Sequence, residues 1–200
     1  MKKILLYTMV FAASVFGLTS CGDDDSKGKS RISYYPTIEL EGGSPYVWPK
    51  GTAWEDPGYV SLMGGQDVSD LVTVTGNVNT SESGLYTLSY ATTQNEDGFG
   101  SSTTRQVVVV DPNDAVEGLY WIAPESYRLR AGAQVEYGKT YPIQVFNNGD
   151  GTYSVDDLLG GWYYYRAGYG INYAMGGNIT VADDGAVTIN EAGVAGWGDS

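Results

Sequence analysis

Apolar and polar residues alternate in short runs along most of this chain, and a two-residue period predicts strands rather than helices. The clearest run is Gly84-Leu85-Tyr86-Thr87-Leu88-Ser89-Tyr90, which sets Tyr86, Leu88 and Tyr90 on one face and Thr87 and Ser89 on the other. Residues 103–110 form a second run, with Arg105, Val107 and Val109 on one face and Asp111-Pro112 as its stop. Thr37–Leu40 and Val72–Thr75 are shorter runs that end at Gly42-Gly43 and Gly76-Asn77. Short strands separated by turn signals predict an antiparallel sandwich over residues 34–111, with Tyr86, Leu88, Tyr90, Val107 and Val109 in its core. Residues 112–117 form a connector with little slack, and a second domain follows over 118–200.

The second domain repeats the pattern. Gly118–Ile122, 140–146 and 152–155 read as strands, the last two joined by Asn147-Asn148-Gly149-Asp150-Gly151. Residues 178–181 and 186–189 flank Asp183-Asp184-Gly185, an Asp-Gly hairpin signal. Residues 161–166, Gly-Trp-Tyr-Tyr-Tyr-Arg, read as a strand that is aromatic on both faces, with Trp162 and Tyr164 opposite Tyr163 and Tyr165. Helical periodicity never exceeds two turns, and 156–160 forms one turn at most. The expected fold class is all-β: an antiparallel sandwich followed by a small antiparallel sheet or partial barrel.

The N-terminus departs from this pattern. Lys2-Lys3 precede an apolar run from Ile4 to Leu18, and small residues lead to Cys21, the only cysteine. A charged start, an apolar stretch and a small-residue cut site make residues 1–20 a secretory signal peptide. A cysteine directly after the cut can carry a thioether-linked diacylglycerol and an acyl group on its freed amine. Cys21 is therefore the expected lipidation site, with palmitate-type chains holding the mature protein to a membrane. The run is short for a membrane span, which takes about 20 residues. Two or three chains anchor firmly, at about 0.8 kcal/mol per buried methylene. Residues 21–33 form a flexible acidic tether. Its Gly22-Asp23-Asp24-Asp25-Ser26 resembles the export signal of Bacteroidota lipoproteins, which implies the outer face of the outer membrane.

Charge and composition narrow the chemistry. The chain has 11 basic and 24 acidic residues, and without Lys2 and Lys3 only nine bases remain. So negative a body disfavours nucleic acid as a partner. No histidine occurs, which removes the commonest general base and metal ligand, and any Ser-His-Asp or Cys-His nucleophile with them. No metal or other cofactor is expected. Asn147 to Asp150, Asp156-Asp157 and Asp183-Asp184 lack the spacing of a calcium loop and suit turns. Glu125, Glu136, Asp156 and Asp157 could run glycoside hydrolysis only if two faced each other across a cleft, which nothing in the sequence arranges. The expectation is no enzyme.

Two resemblances add to this reading. Gly51-x-x-x-x-Asp56-Pro57-Gly58, then residues 72–80, then Gly84-x-Tyr86-x-Leu88-x-Tyr90 and Thr104-Arg105-x-Val107-x-Val109 resemble a bacterial immunoglobulin-like repeat of secreted and surface lipoproteins. That resemblance implies an Ig-like β-sandwich that serves as a spacer or presenter without an active site. Gly149-x-Gly151-x-Tyr153-x-Val155-x-Asp157-Leu158-Leu159-Gly160-Gly161 and Gly196-Trp197-Gly198-Asp199-Ser200 resemble the C-terminal domain of unknown function in a Bacteroidota surface-lipoprotein family. Members of that family continue past the second motif with further strand sequence. An end at this point predicts an exposed sheet edge, in a fragment or in a chain without its last strands. Such genes occur among polysaccharide-uptake genes, which implies a glycan-linked role and an outer-membrane uptake complex as partner.

The candidate ligand-binding set is therefore aromatic: Trp121, Trp162, Tyr163, Tyr164, Tyr165, Tyr169 and Trp197, with Tyr173 beside them. Aromatic faces cover the C–H face of a sugar ring, while acids and amides accept its hydroxyls. The same rings could equally be core and cross-strand packing. Trp48 and Trp54 are expected to cap the sandwich core. The functional expectation is non-catalytic glycan binding at the cell surface, with a structural or adhesion module that binds protein as the alternative.

Overall fold

The computed structural model describes residues 32–93, 95 and 97–198, so the leader, Cys21 and Asp23-Asp24-Asp25 lie outside it. Among the described residues the fold is all-β, with four sheets and no helix long and apolar enough to cross a membrane.

The N-terminal half builds two sheets. Strands β1 (Thr37–Leu40), β3 (Tyr59–Met63) and β4 (Gln66–Asp67) form one, in the order β1-β3-β4. Strands β2 (Tyr46–Pro49), β5 (Val72–Thr75), β6 (Gly84–Thr92) and β7 (Ser102–Val110) form the other, in the order β2-β7-β6-β5. Tyr86 faces Val107 and Leu88 faces Arg105 across the β6–β7 ladder. Leu88, Tyr90, Val107 and Val109 are buried as expected, and Ile38, Leu40, Trp48, Trp54 and Tyr59 close over them. Tyr86 is half-buried at the rim, where its hydroxyl donates to the Glu82 carbonyl at 3.1 Å. Thr87 is exposed and Ser89 half-buried.

The sandwich is not wholly antiparallel. Strand β2 pairs with β7 in parallel, from Tyr46 opposite Val107 to Pro49 opposite Val110. As an edge strand β2 tolerates Pro49, whose missing N–H removes no ladder bond from the interior of the sheet.

One charge sits in this core. Arg105 is fully buried, since the register that turns Val107 and Val109 inward turns it inward too. Its Nη1 donates to the carbonyls of Glu41 at 2.6 Å and Gly43 at 3.0 Å. Its Nη2 donates to the Gly58 carbonyl at 2.7 Å and reaches Asp56 Oδ1 at 3.4 Å. Its Nε donates to the Tyr90 hydroxyl at 3.0 Å, and that hydroxyl donates to Asp56 Oδ2. Burying a charge is tolerable only with such complete pairing. Asp56 Oδ1 also accepts the Gly58 N–H at 2.8 Å, so the Asp56-Pro57-Gly58 motif is a turn that receives the arginine.

The C-terminal half centres on a five-stranded antiparallel sheet. Strands β8 (Gly118–Ile122), β11 (Tyr141–Asn147), β12 (Tyr153–Val155), β13 (Met175–Val181) and β14 (Val187–Val194) run in the order β14-β13-β12-β11-β8. A separate hairpin pairs β9 (Tyr127–Arg130) with β10 (Ala133–Glu136). Ile143, Val145, Val155 and Ile179 form the core on one face of the large sheet. The same face opens into an apolar groove of about 420 Å³ between Tyr120, Val116, Val181 and Val187. Strand β14 is a sheet edge along which residues 187–192 are all exposed.

Residues 161–166 correct the sequence reading. They form no strand: Trp162–Arg166 is a single π-helical turn. Gly160 and Gly161 both adopt left-handed φ values, of 63° and 80°, and turn the chain off the extended path. Arg166 N–H then donates to the Gly161 carbonyl at 3.0 Å and Ala167 N–H to the Trp162 carbonyl at 2.9 Å, both five residues back.

The stretch between the two halves is tied down. Asp114 Oδ1 accepts the N–H groups of Val116 and Glu117 at 2.8 and 2.9 Å. Buried Glu117 accepts the Asp111 N–H at 3.0 Å with one carboxylate oxygen and the Asn147 N–H at 3.4 Å with the other. Asn147 Nδ2 donates to Asp114 Oδ2 at 2.6 Å.

Candidate functional site

The site begins with a buried carboxylate. Asp157 Oδ1 accepts the N–H groups of Leu159 at 2.9 Å and Met175 at 3.1 Å, and Oδ2 accepts that of Gly161 at 3.0 Å. These bonds fix the 157–161 turn against the start of β13 and launch the π turn. Neighbouring Asp156 accepts the Gln144 N–H at 2.7 Å. Burial, with the Asp157 charge adding to it, pushes the Asp156 carboxyl up to about 6.

Because a π turn does not alternate, the four aromatics it carries diverge. Trp162 is buried, with Tyr137 edge-on at 5.0 Å. The guanidinium carbons of Arg128 and Arg166 lie 4.5 Å and 5.5 Å from its ring centre. Tyr164, Tyr165 and Tyr141 form a stack with centroid spacings of 3.8 and 5.5 Å. Burial raises the Tyr165 hydroxyl well above the ordinary phenol range.

Tyr163 turns elsewhere and joins a closed ring of four aromatics. It stacks on Tyr169 at 5.9 Å and meets Trp197 edge-on at 4.7 Å. Tyr173 completes the circuit, 5.4 Å from Tyr169 and 5.7 Å from Trp197. Tyr169 and Trp197 are 57% and 47% exposed, so half of this ring is open to solvent. The turn Ala195–Trp197 seats Trp197 because position 196 is glycine: a Cβ there would stand 2.9 Å from the Tyr173 ring and 2.8 Å from the Asn172 carbonyl.

A second concave surface lies on β13 and β14. A shallow groove of about 440 Å³ runs from Ala195 over Gly176 and Gly193 to Ser154, Asn178 and Glu191. Gly176 faces Gly193 across the ladder, and a Cβ on Gly176 would meet only the Val155 carbonyl, at 4.0 Å. Asn178 and Asn190 are linked side chain to side chain at 2.7 Å, so amides line this face.

The structure thus brings Tyr163, Tyr169 and Trp197 together with Tyr173, and places Trp162, Tyr164 and Tyr165 in a packed layer beside them. Trp121 stands apart on β8 opposite Pro142, exposed and without a ring partner among the described residues. Sequence reasoning missed Arg128, whose Nη1 donates to the Tyr163 hydroxyl at 2.9 Å, and Arg166. The signal was present: the four basic residues after Asp111 all fall between 128 and 166.

Comparison with known proteins places this geometry in a family. A family model described as "Bacterial surface protein, Ig-like domain" matches residues 38–109, and one described as a C-terminal domain matches residues 109–200. Among curated proteins none matches. The crystal structure of the lipoprotein BT2262 from Bacteroides thetaiotaomicron is 38% identical over 83% of this chain and 83% of that one, with a TM-score of 0.64. The chain therefore belongs to the family of BT2262-type surface lipoproteins, with a bacterial Ig-like domain followed by that family's C-terminal domain.

Proposed function

We propose that this lipoprotein is a non-catalytic capture protein for glycan, with Tyr169 and Trp197 as its stacking surface and Tyr163 and Tyr173 as their support. The observation that carries the reading is the closed four-ring cluster, half open to solvent, in a domain whose β13–β14 face also carries a groove lined by Ser154, Asn178 and Glu191. A sugar presents an apolar C–H face to such rings and hydroxyls to such amides and acids. Asp157 is consumed by three backbone N–H groups, which favours a binding role over acid–base chemistry. Cys21 would carry the lipid, Asp23-Asp24-Asp25 would route the protein to the exterior of the outer membrane, and the Ig-like half would hold the binding half off the surface. An uptake complex for polysaccharide is the partner this arrangement suits.

Alanine substitutions separate binding from packing. Trp197→Ala and Tyr169→Ala should each weaken polysaccharide affinity about three- to tenfold, the range of about 0.5–1.5 kcal/mol for a ring contact, at a folding cost of about 1–2 kcal/mol for the two ring contacts each loses. Trp162→Ala should instead cost about 3–5 kcal/mol of stability. Affinity by calorimetry and melting temperature, measured on each variant, decide the matter. If affinity losses follow stability losses across all three, the rings are packing alone. A protein-binding role is the second reading, favoured by the exposed β14 edge with Val187 and Ile189 more than half exposed. It would show as binding lost in Ile189→Lys and retained in Trp197→Ala.

A further inference from the structure

We infer that the glycan is anionic, and that Arg128, Arg130 and Arg166 hold its carboxylate or sulfate groups beside the aromatic ring; the inference rests on the glycan reading above. The C-terminal half is acidic, yet its basic residues are not scattered. Beyond Asp111 they are Arg128, Arg130, Lys139 and Arg166. Arg128 and Arg166 lie against the same indole, that of Trp162. Arg130 is two residues along β9 from Arg128, so both leave the same face of the hairpin. Arg128 also touches the four-ring cluster directly, through its hydrogen bond to Tyr163.

These charges are not spent within the fold. Among the described residues, the one ion pair that forms joins Arg105 to Asp56, in the other half. Arg128 Nε is buried and without an acceptor, and Arg166 uses only its Nε, on the Glu136 carbonyl at 3.4 Å. With both guanidinium groups beside Trp162, Arg128 keeps its Nη2, and Arg166 both of its Nη groups, without a hydrogen-bond acceptor among the described residues. Such N–H groups fork onto carboxylate, and equally onto sulfate oxygens. Packing on the indole accounts for Arg128 and Arg166 but not for exposed Arg130. In a chain this negative, an anionic ligand is repelled at long range. At physiological salt that repulsion is screened beyond about 8 Å, so the charges nearest the ligand decide binding.

The test uses the full-length protein in detergent and four probes: polygalacturonate for carboxylate, chondroitin sulfate for sulfate, neutral pullulan, and phosphatidylglycerol vesicles. The expected result is at least tenfold tighter binding of one or both acidic polysaccharides than of pullulan in 50 mM salt, about 1.4 kcal/mol, with most of that gap lost in 500 mM salt. Arg130→Gln and Arg166→Gln should each reduce the acidic preference about three- to tenfold, and Arg130→Lys should retain more of it than Arg130→Gln. Arg130 is exposed, so its variants carry the test if Arg166→Gln lowers the melting temperature. Equal binding of acidic and neutral polysaccharide, or a preference unchanged in Arg130→Gln, overturns the inference and leaves the glycan reading standing. Failure of every polysaccharide overturns both readings. Binding to the vesicles alone does the same and assigns the arginines to lipid headgroups.

Discussion

At the scale of single residues, the guanidinium of Arg105 decides more than any apolar side chain. It gathers the carbonyls of Glu41, Gly43 and Gly58 and the carboxylate of Asp56, groups that come from two separate turns of the first half. Removing one partner of a buried pair strands the other charge. Asp56→Ala should therefore destabilise the Ig-like half by about 3 kcal/mol, toward the low end of the cost of breaking a buried pair because Asp56 itself is partly exposed. Denaturant titration followed by tryptophan fluorescence measures this through Trp48 and Trp54, and a loss under about 1 kcal/mol would mean that the carbonyls alone hold the arginine. The sequence carried half of this. Alternation put Arg105 on the core face with Val107 and Val109, and the resemblance drew attention to Asp56-Pro57-Gly58. That the two meet was not legible, because 49 residues separate them and no local period links them.

At the scale of elements, strands were readable where β-branched and aromatic residues alternate, as in β6 and β7. They were lost where glycine or arginine interrupts, as in β9 and the first residues of β13. The π turn was misread for a physical reason. Trp, Tyr, Tyr and Tyr all favour strands, but Gly160 and Gly161 in the left-handed region set the direction of the chain before those preferences act. The aromatic site was accordingly legible as a composition and not as a geometry: its residues were identified, but their division into a packed layer and an open ring follows from the turn. Gly161→Ala tests this. A Cβ there would stand 2.8 Å from the Tyr165 ring and 2.9 Å from Tyr141 Cβ, on a backbone already at φ 80°. Its cost should be about 2–3 kcal/mol, against about 1 kcal/mol for Gly168→Ala, which shares the strained φ but meets open space. Thermal melts of the two variants give the comparison; equal shifts would mean that the turn has room to relax.

At the scale of the whole molecule, the stretch from Asp111 to Glu117 acts as a clamped joint rather than a free linker. Its amides close on Asp114, and Glu117 bridges the end of β7 to the end of β11. Glu117→Ala leaves the Asp111 and Asn147 N–H groups without their acceptor, at a cost of about 1–3 kcal/mol. Hydrogen exchange should then quicken at both amides while the Leu88 and Val107 amides stay protected, and unchanged exchange at Asp111 would show the joint to be held by Asp114 alone. The parallel pairing of β2 with β7 has a mechanical consequence. In a molecule held at its N-terminal end and loaded through its second half, tension draws β2 toward its start and β7 toward its finish. Two parallel neighbours pulled this way slide past each other, so the four register pairs from Tyr46 to Pro49 bear the force together instead of opening one after another. Held and loaded in that way, the Ig-like half would pass a pull that reaches β2 to β7 in shear.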